Sequence, residues 1–252
     1  MTYLELETRI KNAPSLDFGN LINNVIELFK TVWLKGVLTV SLILAFALGI
    51  IFVFSFIGFI PQNLSIQDTL DITNFYNSYF YNVLYGIPQT ILISTITLAF
   101  LAAFYRICNQ VVLGETVEDD YFYFFKKEYF SKVFMLGIIY TAIAVIAQLM
   151  FIIPYLYVYI PLSFFAVVLA NNPELGEMEV VKISFKLGNK KWFITFITMF
   201  VAGVIGMLGI IACGIGIILT ISIAYLPSFI VYREVIGLDE NNQITNYETL
   251  DE

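Results

Sequence analysis

The chain contains 252 residues, of which 59% are hydrophobic and only 13% are charged. Because a soluble globular domain carries about 25% charged residues, this composition excludes an ordinary soluble domain and predicts an integral membrane protein. The net charge of −7 argues against nucleic acid as a partner, since a polyanion binds to basic surfaces. The chain has no histidine, so we expect no cofactor, no histidine-ligated metal and no enzymatic site.

Amphipathic segments alternate with apolar runs along the chain. Segments 15–32, 119–131 and 173–187 carry apolar residues at helical spacing and are predicted to lie as helices in the membrane interface. Runs that are long enough to cross a bilayer cover residues 34–60, 82–105, 133–153, 155–170, 192–212 and 214–232. The chain is therefore predicted to be an all-α, polytopic transmembrane helical bundle of six spans, arranged as three pseudo-repeated units of an interfacial helix and a hairpin. Residues 1–236 form one membrane domain, and residues 237–252 form an acidic flexible tail.

Two pairs of apolar runs leave the number of spans open. Only Pro154 separates the third run from the fourth, so residues 133–170 form either two full spans or one span and a re-entrant segment. The fifth and sixth runs meet at Gly214 and Gly216, where glycine permits a sharp turn. Six spans are the preferred count, and four or five are the alternatives.

The positions of the basic residues predict the orientation, because Lys and Arg concentrate in short cytoplasmic loops. All 13 basic residues lie before the first span, between the second and third, between the fourth and fifth, or after the sixth. The loop 61–81 on the other side contains Asp68 and Asp71 and no basic residue. This distribution predicts six spans with both termini in the cytoplasm.

Three groups of residues are candidates for a functional role, and each also has a purely structural interpretation. Polar residues inside the spans either line a pathway or a headgroup site or form hydrogen bonds between helices; they are Gln89, Thr90, Ser94 and Gln148. Lysines near the amphipathic segments either contact lipid headgroups or form a solvated face; they are Lys126, Lys127, Lys182, Lys186, Lys190 and Lys191. Small residues of the fifth span pack helices within the chain or in a homodimer; they are Ala202, Gly203, Gly206 and Gly209.

Two short motifs resemble a known family. They are Leu16-Asp17-Phe18-Gly19-x2-Ile22-x3-Ile26-x2-Phe29, and Ser184-Phe185-x-Leu187 followed by Lys191-Trp192. With the layout of the spans, they resemble the bacterial membrane family related to the membrane domain of glycerophosphodiester phosphodiesterases, and the Asn- and Ile-rich composition resembles that of Bacteroidota proteins. The resemblance implies a location in the bacterial inner membrane. In that family a soluble catalytic barrel follows the membrane domain; here about 16 residues, the tail 237–252, follow the membrane domain, so we do not expect the hydrolase activity.

Two functions of different classes are consistent with these features. A non-catalytic membrane subunit or scaffold would organise membrane lipids, a partner protein or further copies of itself through the interfacial helices. A passive channel or lipid-handling transporter would use the polar side of the second span. An intramembrane enzyme is disfavoured, because the spans provide neither histidine nor a buried carboxylate for acid–base chemistry.

Overall fold

The computed structural model describes residues 1–59, 72–115, 118–211 and 216–238. All regular elements in these ranges are helices, which confirms the all-α class. The carboxylates Asp68 and Asp71, the cysteine Cys213 and residues 239–252 of the predicted tail lie outside the described residues.

The helices are numbered here in chain order. They are α1 (Tyr3–Lys11), α2 (Phe18–Phe56), α3 (Ile72–Tyr85), α4 (Ile87–Leu113), α5 (Lys127–Leu149), α6 (Ile152–Ser163), α7 (Phe165–Asn171), α8 (Glu177–Lys190), α9 (Trp192–Met207), α10 (Gly216–Thr220) and α11 (Leu226–Ile236). Short 3-10 helices cover Tyr123–Phe125, Leu208–Ile211 and Ile221–Tyr225.

The described residues contain four helices that are long and apolar enough to cross a membrane, or five if the bent pair of α8 and α9 forms one span. The four are α2, α4, α5 and the combined α6–α7 segment Ile153–Asn171. These helices confirm a membrane-embedded protein. The segment predicted as the sixth span contains α10, a 3-10 helix and α11, each shorter than a span. Pro227 in the first turn of α11 has no backbone N–H, which favours the start of a new helix there.

Helix α2 joins two segments that the sequence predicts as separate, the interfacial helix 15–32 and the span 34–60. The Asp17 side chain caps it by accepting a hydrogen bond from the Asn20 backbone N–H at 2.9 Å. One buried stripe runs from the amphipathic part into the apolar part without a change of spacing; it contains Leu21, Val25, Leu28, Val32, Gly36 and Thr39. The helix is roughly 58 Å long, whereas the hydrocarbon layer is about 30 Å thick. The amphipathic half therefore continues the span and extends beyond the membrane.

The second predicted interfacial helix, 119–131, is not one helix. Residues Asp119–Phe122 form an irregular turn, the 3-10 helix Tyr123–Phe125 follows, and α5 begins at Lys127. Some rings of this stretch pack inward instead of covering one helix face: Phe124 is fully buried, and the Phe125 ring lies 4.8 Å from that of Phe100 on α4. We call Tyr121–Phe125 the aromatic segment.

The third predicted interfacial helix, 173–187, corresponds to α8, which begins four residues later than predicted, at Glu177. Its start is capped by the Glu179 carboxylate, which accepts from the Gly176 backbone N–H at 2.9 Å. Helix α9 leaves α8 at an angle of 86°, and we call this junction the elbow. The three amphipathic segments thus have three different structures.

Residues 133–170 form a helical hairpin. Helix α5 ends at Leu149 and α6 begins at Ile152, with Phe151 between them at a φ of 80°. Both arms are long enough to span, which favours two spans over a re-entrant segment. At the far end of the bundle, α1 packs on α8 and α11 through the buried side chains of Leu6 and Ile10.

Candidate functional site

The charged side chains of the described residues gather at one end of the bundle, which we call the basic end. No charged residue occurs in 36–59, 72–105, 133–171 or 192–232. Contacts join the intervening segments to one another: Lys35 pairs with Asp119, Lys132 donates a hydrogen bond to the Pro173 carbonyl, and the N-terminal amine lies 3.9 Å from Glu174. The amphipathic half of α2 belongs to the same end, because Asn24 donates to Glu234 of α11 at 3.2 Å.

Three of the six candidate lysines have partners within the protein. Lys126 pairs with Asp120 at 2.8 Å, and Lys186 pairs with Glu7 at 2.6 Å. The hydrogen bond to Glu7 and a second one to the Tyr3 hydroxyl raise the pKa of Lys186. Lys191 donates a hydrogen bond to the Pro14 carbonyl, and its partial burial lowers its pKa. These lysines hold the α1 region and the aromatic segment in place.

The other three candidates, Lys127, Lys182 and Lys190, are exposed. Within the described part of the chain they make no hydrogen bond or ion pair. Lys182 and Lys190 lie eight residues apart on the same side of α8. Lys127 lies in the first turn of α5, and the hydrogen bond from Lys132 to Pro173 joins this region to the segment before α8. These ammonium groups are available to ligands outside the protein.

Arg106, which was not among the candidates, lies against the aromatic segment. Its guanidinium carbon is 4.1 Å from the centroid of the Tyr123 ring, and the Lys126 ammonium is 4.8 Å from the same centroid. The Tyr123 and Tyr129 hydroxyls are 2.9 Å apart and fix the ring. Burial raises the pKa of the neighbouring Tyr121 to about 12, with a further contribution from Asp119. The segment is therefore partly withdrawn from water.

At the end opposite to the basic end lies a cleft of about 520 Å³. It brings together two of the four candidate polar residues, Thr90 of α4 and Gln148 of α5. The Tyr79 hydroxyl donates to the Gln148 carbonyl at 2.9 Å, so α3 closes one side. The complete lining is Tyr79, Asn82, Val83, Thr90, Val145, Gln148, Phe151 and Tyr155. The cleft is uncharged and bounded by aromatic rings.

The other two candidate polar residues do not line this cleft. Ser94 is buried and accepts a hydrogen bond from the Thr141 hydroxyl at 3.2 Å, which joins α4 to α5. Gly137 of α5 packs directly on Thr95, one position further along α4. Gln89 is half-buried beside Thr90. The polar side of α4 therefore leads into tight helix packing below the cleft, and Ser94 has the structural role that was its alternative interpretation.

The small residues of α9 divide into two sets. Ala202 is fully buried, and a Cβ added to Gly206 would meet Ile223 and the Thr220 carbonyl at 3.3 Å. Gly209, in the 3-10 helix after α9, lies against Gly216 and Thr220. A Cβ on Gly203 would meet nothing within 4 Å. Gly206 and Gly209 thus pack against the segment 216–225 of the same chain, Ala202 is buried, and Gly203 is open.

A second polar group that was not predicted lies inside the basic end. The Asn172 side chain donates to the Tyr232 hydroxyl at 2.7 Å, and Asn109 donates to Asn171 at the same distance. Gln110 is 3% exposed, and its side-chain amide finds no partner in the described part of the chain. In the sequence these polar residues come directly after long apolar runs. That position could have indicated that they lie at the ends of the spans and not inside them.

The described residues contain no group of three or more Cys, Asp or Glu side chains that could hold a metal ion. The resemblance to the membrane domain of glycerophosphodiester phosphodiesterases rests on its two short motifs. A comparison with protein-family models finds no match, and comparisons with curated proteins and with solved structures find no similar protein.

Proposed function

We propose that the protein is a non-catalytic subunit or scaffold of the bacterial inner membrane that gathers anionic lipid, or an acidic partner protein, at its basic end. In this proposal the chain crosses the membrane six times, and both termini lie in the cytoplasm. The segregation of charge supports it, because Lys and Arg stay on the cytoplasmic side.

One observation carries the proposal: Lys127, Lys182 and Lys190 are exposed and have no partner in the described part of the chain. Unlike Lys126 and Lys186, which are paired within the fold, these three lysines present their charge to the surroundings of the protein. Near an anionic membrane surface each free lysine contributes about 1 kcal/mol of attraction. Three of them around α8 are expected to enrich anionic lipid several-fold beside the protein.

The test compares two triple variants with the same loss of charge. The first replaces Lys127, Lys182 and Lys190 by Gln, and the control replaces the ion-paired Lys30, Lys35 and Lys186 by Gln. Spin-labelled phosphatidylglycerol in phosphatidylcholine vesicles reports the lipid next to the protein. We expect the first variant to lose most of the enrichment and the control to keep it. Equal losses would mean that only net charge matters and would contradict the proposal.

The orientation has its own test with single introduced cysteines. On whole cells, a membrane-impermeant thiol reagent should label a cysteine at Asn74 and should not label one at Asn246. The variant set lacks Cys108 and Cys213, which removes background labelling. Protection at Asn74, or labelling at Asn246, would refute the six-span arrangement.

A second candidate function, a lipid-handling transporter, is favoured by the cleft that Thr90 and Gln148 line. An open channel is less well supported, because the Ser94–Thr141 hydrogen bond and the contact of Gly137 with Thr95 close the path below it. Replacement of Gln89, Thr90 and Gln148 by Leu should abolish lipid movement between vesicle leaflets and leave assembly intact. Unchanged movement would remove this candidate.

A further inference from the structure

The half-buried guanidinium of Arg106 has no acceptor within the described part of the chain. It lies within the buried part of α4, between Tyr105 and Ile107, and it is the first charged residue of that helix. Its single contact of note is the Tyr123 ring, 4.1 Å from the guanidinium carbon. A guanidinium carries five N–H donors, and a flat ring can satisfy none of them in the guanidinium plane.

The two aspartates of the neighbouring turn are already paired. Asp119 accepts from Lys35 at 2.6 Å, and Asp120 pairs with Lys126 at 2.8 Å. Glu128 is exposed on the first turn of α5 and makes no ion pair with Arg106. The positive charge of Arg106 is therefore not neutralised by this turn, and the exposed Lys127 is the sequence neighbour of Lys126, whose ammonium shares the Tyr123 ring.

The contacts place Arg106 at the edge of the hydrocarbon layer. On the adjacent helix α2, the apolar stretch Gly36–Phe56 is roughly 31 Å long, about the thickness of that layer, and begins immediately after Lys35. Lys35 pairs with the turn that leads into the aromatic segment. The Phe122 and Phe125 rings lie deeper, since both contact Phe46 of α2. Phosphate groups are the acceptors at this level of a bilayer.

We propose that Arg106, held flat against Tyr123, binds the phosphate of one anionic phospholipid of the cytoplasmic leaflet, with Lys127 as a second contact. A planar guanidinium group can donate two parallel hydrogen bonds to two oxygens of one phosphate. The Tyr123 ring would hold the Arg106 guanidinium so that its N–H edge faces the phosphate. The proposal rests on the proposed function, because it assumes that the basic end faces the cytoplasm. It adds a site for a single lipid molecule to the general enrichment of anionic lipid near the lysines of α8.

The experiment is native mass spectrometry of the full chain released from nanodiscs of equal parts phosphatidylglycerol and phosphatidylcholine. We expect the wild type to retain one phosphatidylglycerol and the Arg106→Gln variant to retain it about tenfold less. Arg106→Lys should recover only part of the retention, since an ammonium does not match the planar pairing. Tyr123→Leu should weaken retention, whereas Tyr123→Phe keeps the ring and should retain the lipid.

Controls separate this proposal from the one on which it rests. The Lys182→Gln/Lys190→Gln variant should keep the retained lipid while losing enrichment in the spin-label assay. If Arg106→Gln retains as much phosphatidylglycerol as the wild type, the site is refuted and the enrichment at α8 stands. Displacement of the lipid by millimolar inorganic phosphate would also overturn the assignment, because it would show a site for free phosphate. Unchanged thermal unfolding of Arg106→Gln excludes misfolding as the cause of lost retention.

Discussion

The first and third amphipathic segments meet the spans that follow them in opposite ways. Helix α2 runs from Phe18 to Phe56 without interruption, whereas α8 ends at Lys190 and α9 leaves it at 86°. Both segments bury one apolar stripe, so amphipathicity does not explain the difference. The partners do. Helix α8 packs chiefly on α1, α6 and α7, whereas α9 packs chiefly on the 3-10 helix Ile221–Tyr225, on α11 and on α2.

The elbow is also fixed by specific contacts with α6. The Tyr157 hydroxyl of α6 donates to the Asn189 side chain at 2.8 Å, and its carbonyl accepts from the Trp192 indole at 2.9 Å. Gly188 allows the backbone of Pro161 to approach closely. The change of direction at the elbow is therefore held by contacts with a third helix, α6.

The largest expected effect comes from breaking α2 where it leaves the membrane. Leu34 is 64% exposed, so Leu34→Pro mainly removes a backbone hydrogen bond and clashes with the preceding turn. We expect a loss of about 3 kcal/mol in the free energy of unfolding, and a change in the distance between spin labels at Asn24 and Ser41. Leu34→Ala is the control for the lost side chain. An unchanged distance in the proline variant would show that the two halves of α2 are held independently.

A smaller loss is expected at the elbow. A Cβ on Gly188 would lie 2.6 Å from the Pro161 Cα, so Gly188→Ala must push two backbones apart. We expect about 2 kcal/mol of destabilisation, measured by unfolding in mixed micelles. Gly203→Ala on α9 is the matched control, because its added methyl group meets nothing within 4 Å. Equal stability of the two variants would mean that the close approach at Pro161 is not required.

On α2 the corresponding glycine contacts a side chain instead of a backbone. A Cβ on Gly36 would lie 2.7 Å from the Ser222 Cβ, which belongs to the 3-10 helix before α11. Gly36→Ala should therefore cost about 1–2 kcal/mol, and the double variant with Ser222→Gly should recover most of it. Additive losses in the double-mutant cycle would contradict direct contact between these positions.

The smallest effect concerns α1, which lies on α8. The Thr2 backbone and side chain hold the pKa of Glu5 below its usual value of 4.5. A carboxyl group with a lowered pKa in the folded state contributes stability above its unfolded pKa, and that stability is lost as the pH falls through the lowered value. We expect amide exchange in α1 to rise two- to threefold, relative to α8, on acidification below about pH 4.5. Thr2→Ala should show the raised exchange already at pH 6 and no such pH step.

The apolar runs were predictable because a stretch such as Ile87–Tyr105 has no alternative to a membrane helix, whatever packs against it. The continuity of α2 was not predictable, and neither were the contacts of the Phe122 and Phe125 rings with α2 and α4. Both depend on which helices become neighbours. The same limit applies to the cleft: Thr90 and Gln148 are 58 positions apart and meet only because α4 and α5 pair as they do. In the sequence, Arg106 served only as one of the basic residues that predict the orientation. The Tyr123 ring that it contacts lies in a segment that was predicted to be an interfacial helix.

Helix α2 also couples two environments mechanically. Its part from Phe18 to Lys35 is a rigid arm of roughly 27 Å beyond the hydrocarbon layer, so a change in tilt of about 10° displaces the far end by about 5 Å. Membrane helices tilt to match bilayer thickness. The arm is attached to α11 through Asn24 and Glu234. A change in bilayer thickness would therefore displace the elements at the basic end through α2.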